Sequence, residues 1–116
     1  VSHLTEALLW RKAFEVPTPN PDAAQFQYTL IAEEYLEFCD AGEEGDPTHT
    51  LKELADLVFV CFQFAAAMGW DLDTALTRVF ESNMSKLGPD GKPIRREDGK
   101  ILKGPDYREP NLEDLV

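Results

Sequence analysis

The sequence predicts an all-α fold, a bundle of four helices followed by an irregular C-terminal extension. Three observations lead there. Apolar residues recur at helical spacing through most of the first 87 positions, and each such stretch ends at glycine or proline. From Gly88 onward the pattern breaks, with Pro89, Asp90-Gly91, Pro93, Asp98-Gly99, Gly104-Pro105 and Pro110 punctuating the chain every few residues.

Residues 2–14 are the first predicted helix: Leu4, Ala7 and Leu8 share one apolar face, Leu9, Trp10 and Phe14 widen it, and Pro17, Pro19 and Pro21 stop it. Asp22 is expected to cap a second helix through about Ala41, ended by Gly42 and Gly45. Asp46 as cap, with Pro47 at the first helical position, opens a third helix that runs to Met68 and closes at Gly69. Asp71 is expected to cap a fourth, ending near Leu87. Beyond it, the two Asp-Gly pairs allow small turns or a short hairpin.

The 116 residues are read as one domain, with a helical core over about 2–87 and a basic, Gly/Pro-rich segment over 88–116. The net charge of −11 is uneven: residues 1–85 hold 15 acids against 4 Lys or Arg, whereas residues 86–116 hold 7 of each. An acidic body argues against binding a nucleic-acid polymer, which rests on clustered cations. Six of the 11 cations fall between Lys86 and Lys103, so the segment is either a polyphosphate-binding lid or a solvated tail. The longest apolar run, Leu57 to Met68 with Gln63 inside it, is 12 residues; a bilayer needs about 20. No membrane span is expected. Cys39 and Cys61 sit among apolar residues as small hydrophobes and make no disulfide framework. No secretory signal is visible, and the expected compartment is the cytoplasm.

The third helix is apolar around nearly its whole circumference from Leu57 to Met68, which a lone surface helix does not tolerate. It must be central or buried between subunits. An obligate homo-oligomer is therefore expected, a homodimer or a homotetramer built as a dimer of dimers.

The chemistry lies in the acids of the two middle helices. At about 100° per residue, Glu33, Glu34 and Glu37 fall on the side of Ala23, Phe26, Leu30 and Ala41, and Glu53 and Asp56 continue the stripe of Leu57, Val60, Phe64 and Ala67. These carboxylates should point inward, where an unpartnered charge costs several kcal/mol after relaxation. Lys52 is the only cation either helix offers. A divalent metal is the simplest neutraliser, and all-oxygen ligands favour Mg²⁺ or Mn²⁺ over structural zinc. A solvated acidic face, or an acidic module that binds a basic partner, is the bland alternative. His3 and His49 read as bystanders, and no Gly-rich phosphate loop or Cys/His nucleophile pair is present.

The run Ile31-Ala32-Glu33-Glu34-Tyr35-Leu36-Glu37, followed by Lys52-Glu53-Leu54-Ala55-Asp56-Leu57, resembles the MazG-like all-α nucleoside triphosphate pyrophosphohydrolases, whose motif is Glu-Glu-x-x-Glu and then Glu-x-x-Asp. Ser82-Asn83-Met84-Ser85-Lys86-Leu87, Asp90-Gly91-Lys92-Pro93-Ile94, Asp98-Gly99-Lys100 and Lys103-Gly104-Pro105-Asp106-Tyr107 are similar to the C-terminal signature of a small, single-domain branch often carried by bacteriophages, which would place the protein in the host cytosol. The resemblance implies that Glu34, Glu37, Glu53 and Asp56 ligate two or three Mg²⁺ or Mn²⁺ ions, and that Glu33 orients water or holds a further ion. It implies phosphate binding by Asn83, Lys86, Lys103 and Tyr107, with Lys86 also stabilising the leaving pyrophosphate. The implied reaction hydrolyses a nucleoside triphosphate to the monophosphate and pyrophosphate, with dGTP or GTP first among substrates and a housecleaning role on pyrimidine or modified nucleotides as the competing reading. Trp10, Phe14 and Phe26 are candidate base-stacking groups, against an ordinary core role, and Asn20 or Gln27 are candidate readers of the base edge. Tyr28, where many relatives place Arg, and Cys61-Phe62-Gln63, where Tyr-Gly is frequent, depart from the pattern near the base pocket.

Overall fold

A computed structural model describes residues 2–116, and among these the regular structure is helical: α1 (His3–Ala13), α2 (Ala24–Glu44), α3 (Pro47–Met68) and α4 (Leu72–Met84), with short 3₁₀ turns at Pro21–Ala23 and Glu113–Leu115. The all-α expectation holds. The chain forms two compact units, one running through Leu72 and the other spanning Asp73–Leu115.

In the first unit, local chemistry sets the helix ends. The Ser2 hydroxyl accepts from the Thr5 amide at the start of α1. The Asp46 carboxylate accepts from the amides of Thr48 and His49 at 3.0 and 3.3 Å, with Pro47 in the first turn of α3 as predicted. Gly69, at φ 78°, closes α3 in the left-handed conformation that glycine adopts without penalty. The second helix departs from its expected limits. The 3₁₀ turn absorbs Asp22, so α2 begins at Ala24 without a side-chain cap. It then runs through Gly42 to Glu44, because one glycine inside a helix costs only about 1 kcal/mol. Gly45, at φ 79°, ends it.

The link from Gly45 to Asp46 is short, so α2 and α3 form an antiparallel hairpin, pinned near the turn by the Thr50 hydroxyl donating to the Ala41 carbonyl at 3.1 Å. At the far end the rings of Tyr28 and Phe64 meet with centroids 4.9 Å apart. Ala41, Ala65, Ala66 and Ala67 are buried and let backbones approach closely, and Ala7 of α1 packs with Phe62 and Ala66. Burying Phe62 contributes about 2–3 kcal/mol.

The third helix is not enclosed by its own chain. Phe62, Gln63, Ala65, Ala66 and Ala67 near its C-terminal end are buried, but Leu51, Leu54, Val58 and Phe59 stay 39–66 % exposed, and with His3, Glu6 and Phe62 they line an open apolar cavity of about 390 Å³. Phe26, expected on the inward stripe of α2, is 61 % exposed. No helix among the described residues is long and apolar enough to cross a membrane.

In the second unit α4 ends at Met84, three residues before the predicted limit, and the chain continues in single turns as Lys86 and Leu87 donate to the carbonyls of Asn83 and Met84. The Asp-Gly pairs turn as expected: the Gly91 amide donates to the Gly88 carbonyl, and the Gly99 amide to that of Arg96. A single antiparallel bridge, Arg95 to Ile101, is all that forms of the hairpin. The segment is ordered against its own helix. The Ser82 hydroxyl donates to the Arg108 carbonyl at 2.7 Å, and Arg78 grips Asp114 with both terminal guanidinium nitrogens, Nη1 and Nη2.

Candidate active site

The hairpin geometry brings Glu34 and Glu37, one turn apart on α2, against Glu53 on α3. One carboxylate oxygen from each of the three lies within 4.8 Å of the others. Glu53 is buried and Glu34 half-buried, whereas Glu37 sits at the open rim. The Glu34 carboxyl is pushed above its ordinary range, first by burial and then by the negative charges of Glu37, Asp56 and Glu53.

Two oxygens in this cluster, Glu34 Oε2 and Glu53 Oε2, are buried without a hydrogen-bond partner. A buried acceptor left unmade is costly. Converging carboxylates with orphaned oxygens fit a hard divalent cation, and the three glutamates are the residues that would hold one.

Asp56 and Lys52 complete the rim. Asp56 is close enough to act on Glu34, but its Oδ2 accepts from Lys52 Nζ at 2.6 Å, one turn back along α3. Lys52 Nζ also lies 3.5 Å from Glu53 Oε1. The Asp56 hydrogen bond, followed by the charges of Asp56 and Glu53, raises the lysine pKa. Glu33 is exposed and lies outside the cluster, contrary to the expectation that all three α2 glutamates face inward. Only about a third of the circumference faces α3, and the 100° step from Glu34 carries its neighbour off that face.

His49, read from the sequence as a bystander, is part of the site's surroundings. Its Nε2 lies 3.2 Å from Glu53 Oε1, and its Nδ1 lies 3.4 Å from Glu44 Oε2. The i, i+4 spacing of His49 and Glu53 was the available signal.

A second polar group joins α1 to the same hairpin. Arg11 is 2 % exposed, and burial lowers its pKa. It donates from Nε to Thr18 Oγ1 at 2.6 Å, from Nη1 to Gln63 Oε1 at 3.2 Å and from Nη2 to the Pro17 carbonyl at 3.0 Å. A guanidinium only donates, so Gln63 must turn its oxygen toward Arg11 and its amide nitrogen away. That nitrogen and Gln27 Oε1 are both buried and unpartnered. Gln27 is seven residues before Glu34, two turns or about 10 Å along the same face of α2.

The base-stacking candidates are exposed and not core. Trp10 and Phe14 stack on each other at 4.6 Å, and the edge of Phe59 meets Trp10 at 6.2 Å. Phe26 shares no ring contact with them among the described residues. Asn20 is half-buried, and its backbone N–H donates to the Ala67 carbonyl at 2.7 Å.

The phosphate-binding candidates gather within the second unit. The Gly104 amide donates to the Lys86 carbonyl at 2.9 Å, and a Cβ on Gly104 would meet the Leu87 and Lys86 carbonyl oxygens at 2.6 and 2.8 Å, so only glycine fits. This contact places Lys103 beside the end of α4. Lys103 Nζ lies 4.7 Å from the centroid of the Tyr107 ring, a cation–π contact. Asn83 is exposed at the last turn of α4, and Lys86 is half-buried just beyond it.

The sequence profile of the family described as phosphoribosyl-ATP pyrophosphohydrolase matches residues 3–83, which include the acid cluster and all four helices to within a residue of the end of α4. A search of curated proteins finds no match. The profile spans well over half of the chain, which therefore belongs to the phosphoribosyl-ATP pyrophosphohydrolase family, a MazG-like all-α family of nucleotide pyrophosphohydrolases.

Proposed function

We propose that the protein hydrolyses a nucleoside triphosphate, dGTP or GTP foremost, to the monophosphate and pyrophosphate in a Mg²⁺- or Mn²⁺-dependent reaction. The observation that carries this reading is the convergence of Glu34, Glu37 and Glu53 with two buried, unpartnered oxygens. Divalent ions there would supply charge neutralisation for phosphate oxygens and acidify a water. Asp56, whose Oδ2 accepts from Lys52, would complete the ligand set.

The rest of the work falls to this chain's own groups. Burial keeps Glu34 and Glu53 fixed, so the site stays arranged for the transition state. Asn83, Lys86, Lys103 and Tyr107 are the proposed phosphate ligands, with Lys86 offsetting the charge that gathers on pyrophosphate as it leaves. Glu33, at the surface, orients water. For the base, Trp10, Phe14 and Phe26 offer aromatic faces and Asn20 and Gln27 offer polar edges, to which the structure adds Gln63. In the first unit, the exposed row Leu51, Leu54, Val58 and Phe59 supports a homodimer or homotetramer, since such apolar surface is costly to leave in water.

A second reading is favoured by the family description itself: the substrate would be phosphoribosyl-ATP, split at the same α–β anhydride. Pyrophosphate release from canonical and modified triphosphates and from phosphoribosyl-ATP, with Mg²⁺ or Mn²⁺, separates the readings. Turnover led by dGTP or GTP supports the first and turnover led by phosphoribosyl-ATP the second. A pyrimidine or damaged nucleotide at the top would indicate housecleaning. Absence of product throughout would overturn the catalytic proposal.

A further inference from the structure

The two helices that build the acid cluster carry a single cation. The sequence of α2 contains no Lys or Arg, and α3 contains only Lys52. That ammonium lies 2.6 Å from Asp56 Oδ2 and 3.5 Å from Glu53 Oε1, bridging two acids of the proposed metal centre. Its side chain is 65 % exposed, so it is held chiefly at its tip and is free to swing. A protonated lysine donates hydrogen bonds and offers no lone pair. It therefore cannot enter a metal's coordination shell, and its positive charge, seated on Glu53 Oε1 and Asp56 Oδ2, opposes a cation binding to the other oxygens of the same two carboxylates.

We propose that Lys52 is the built-in counter-cation of the cluster: it holds Glu53 and Asp56 while no divalent ion is bound, and moves to the phosphates of the substrate once an ion neutralises those carboxylates. The inference rests on the metal-dependent reading above. A displaced ammonium on a four-carbon stem stays within reach of the site it has left. A nucleotide arriving with the ion brings phosphate oxygens, for which lysine is an effective point-charge partner. The alternative is an ordinary i, i+4 helix pair that affects neither ligand. The two accounts differ in sign as well as size. A counter-cation that changes partner makes metal binding weaker and triphosphate binding stronger.

The test compares wild-type protein with Lys52→Met and Lys52→Arg. Free Mn²⁺ is followed by electron paramagnetic resonance, and a non-hydrolysable α,β-methylene deoxyguanosine triphosphate is titrated calorimetrically at saturating Mn²⁺. Lys52→Met is expected to bind Mn²⁺ at least ~5-fold tighter, the order expected for two unit charges about 4 Å apart in bulk water. It should bind the analogue several-fold more weakly, whereas Lys52→Arg keeps wild-type behaviour in both. Unchanged or weakened Mn²⁺ binding in Lys52→Met overturns the proposal, as does unchanged analogue affinity. A wild-type protein that takes up no Mn²⁺ overturns the metal reading itself, a result distinct from the failure of Lys52 to matter.

Discussion

Two buried charged regions in the first unit solve opposite problems. Arg11 is a fully buried cation with no acid among its hydrogen-bond partners, yet all three of its guanidinium nitrogens donate to oxygens of the chain. Glu34, Glu37 and Glu53 are acids drawn together with one lysine at the rim and two oxygens left without partners. Every guanidinium nitrogen of Arg11 has an acceptor as folded, although Gln63 Nε2 and Gln27 Oε1 beside it stay unpartnered. The acid cluster gathers like charges and leaves two buried oxygens without a donor, an arrangement that fits a cation. A charge whose nitrogens all find acceptors fits a structural role, and unsatisfied oxygens of like charge fit a place for a ligand.

The contrast can be broken by substitution. Glu53→Gln should lower metal-dependent turnover by at least ~100-fold, since a catalytic ligand is worth several kcal/mol, while the ion-free protein stays folded. Steady-state pyrophosphate release beside a thermal melt reads both. Arg11→Ala should do the reverse. It leaves Gln63 Oε1 and the Pro17 carbonyl without a donor and opens a cavity, for a loss of about 3 kcal/mol in denaturant unfolding, with metal affinity per folded molecule retained.

Metal and pH sharpen the comparison. If Mn²⁺ binds the folded protein alone, adding it at 100 times its Kd should stabilise by about 2.7 kcal/mol, with no such gain in Glu53→Gln. The raised Glu34 carboxyl fixes the sign of the pH dependence. Its contribution to ion-free stability is fully present below the ordinary glutamate pKa and lost as pH rises through the higher folded value. Ion-free protein should therefore gain stability on mild acidification across that window. Metal affinity should fall across the same window, because protons and the ion compete for the carboxylate. Melting curves from neutral pH to just above the ordinary glutamate range, with and without Mn²⁺, check both trends. The smallest effect belongs to Asp46→Ala, which removes the α3 cap for about 1 kcal/mol and tests whether the cluster tolerates a loosened helix start.

Much of this was legible in the sequence, and the failures have physical reasons. Asp46-Pro47 and Gly69 marked the ends of α3 because caps are local chemistry. Glu34, Glu37 and Glu53 meet because their helical spacing agrees with an antiparallel hairpin. Glu33 falls on the predicted inward arc yet is exposed, since a broad helical arc includes residues that the partner helix never touches. Gly42 was read as a helix end, but an interior glycine costs less than the helix gains by continuing. The Arg11, Gln27 and Gln63 group was missed although its signals were present, namely a polar residue inside the longest apolar run and an arginine directly after Trp10. A lone polar residue does not reveal its partner 52 positions away.

The most direct measurement is an anomalous difference map at the manganese edge from crystals grown with Mn²⁺. The account predicts a peak among the carboxylates of Glu34, Glu37 and Glu53, with Asp56 turned from Lys52 toward it. A map with no peak there, in protein that still releases pyrophosphate, would contradict it.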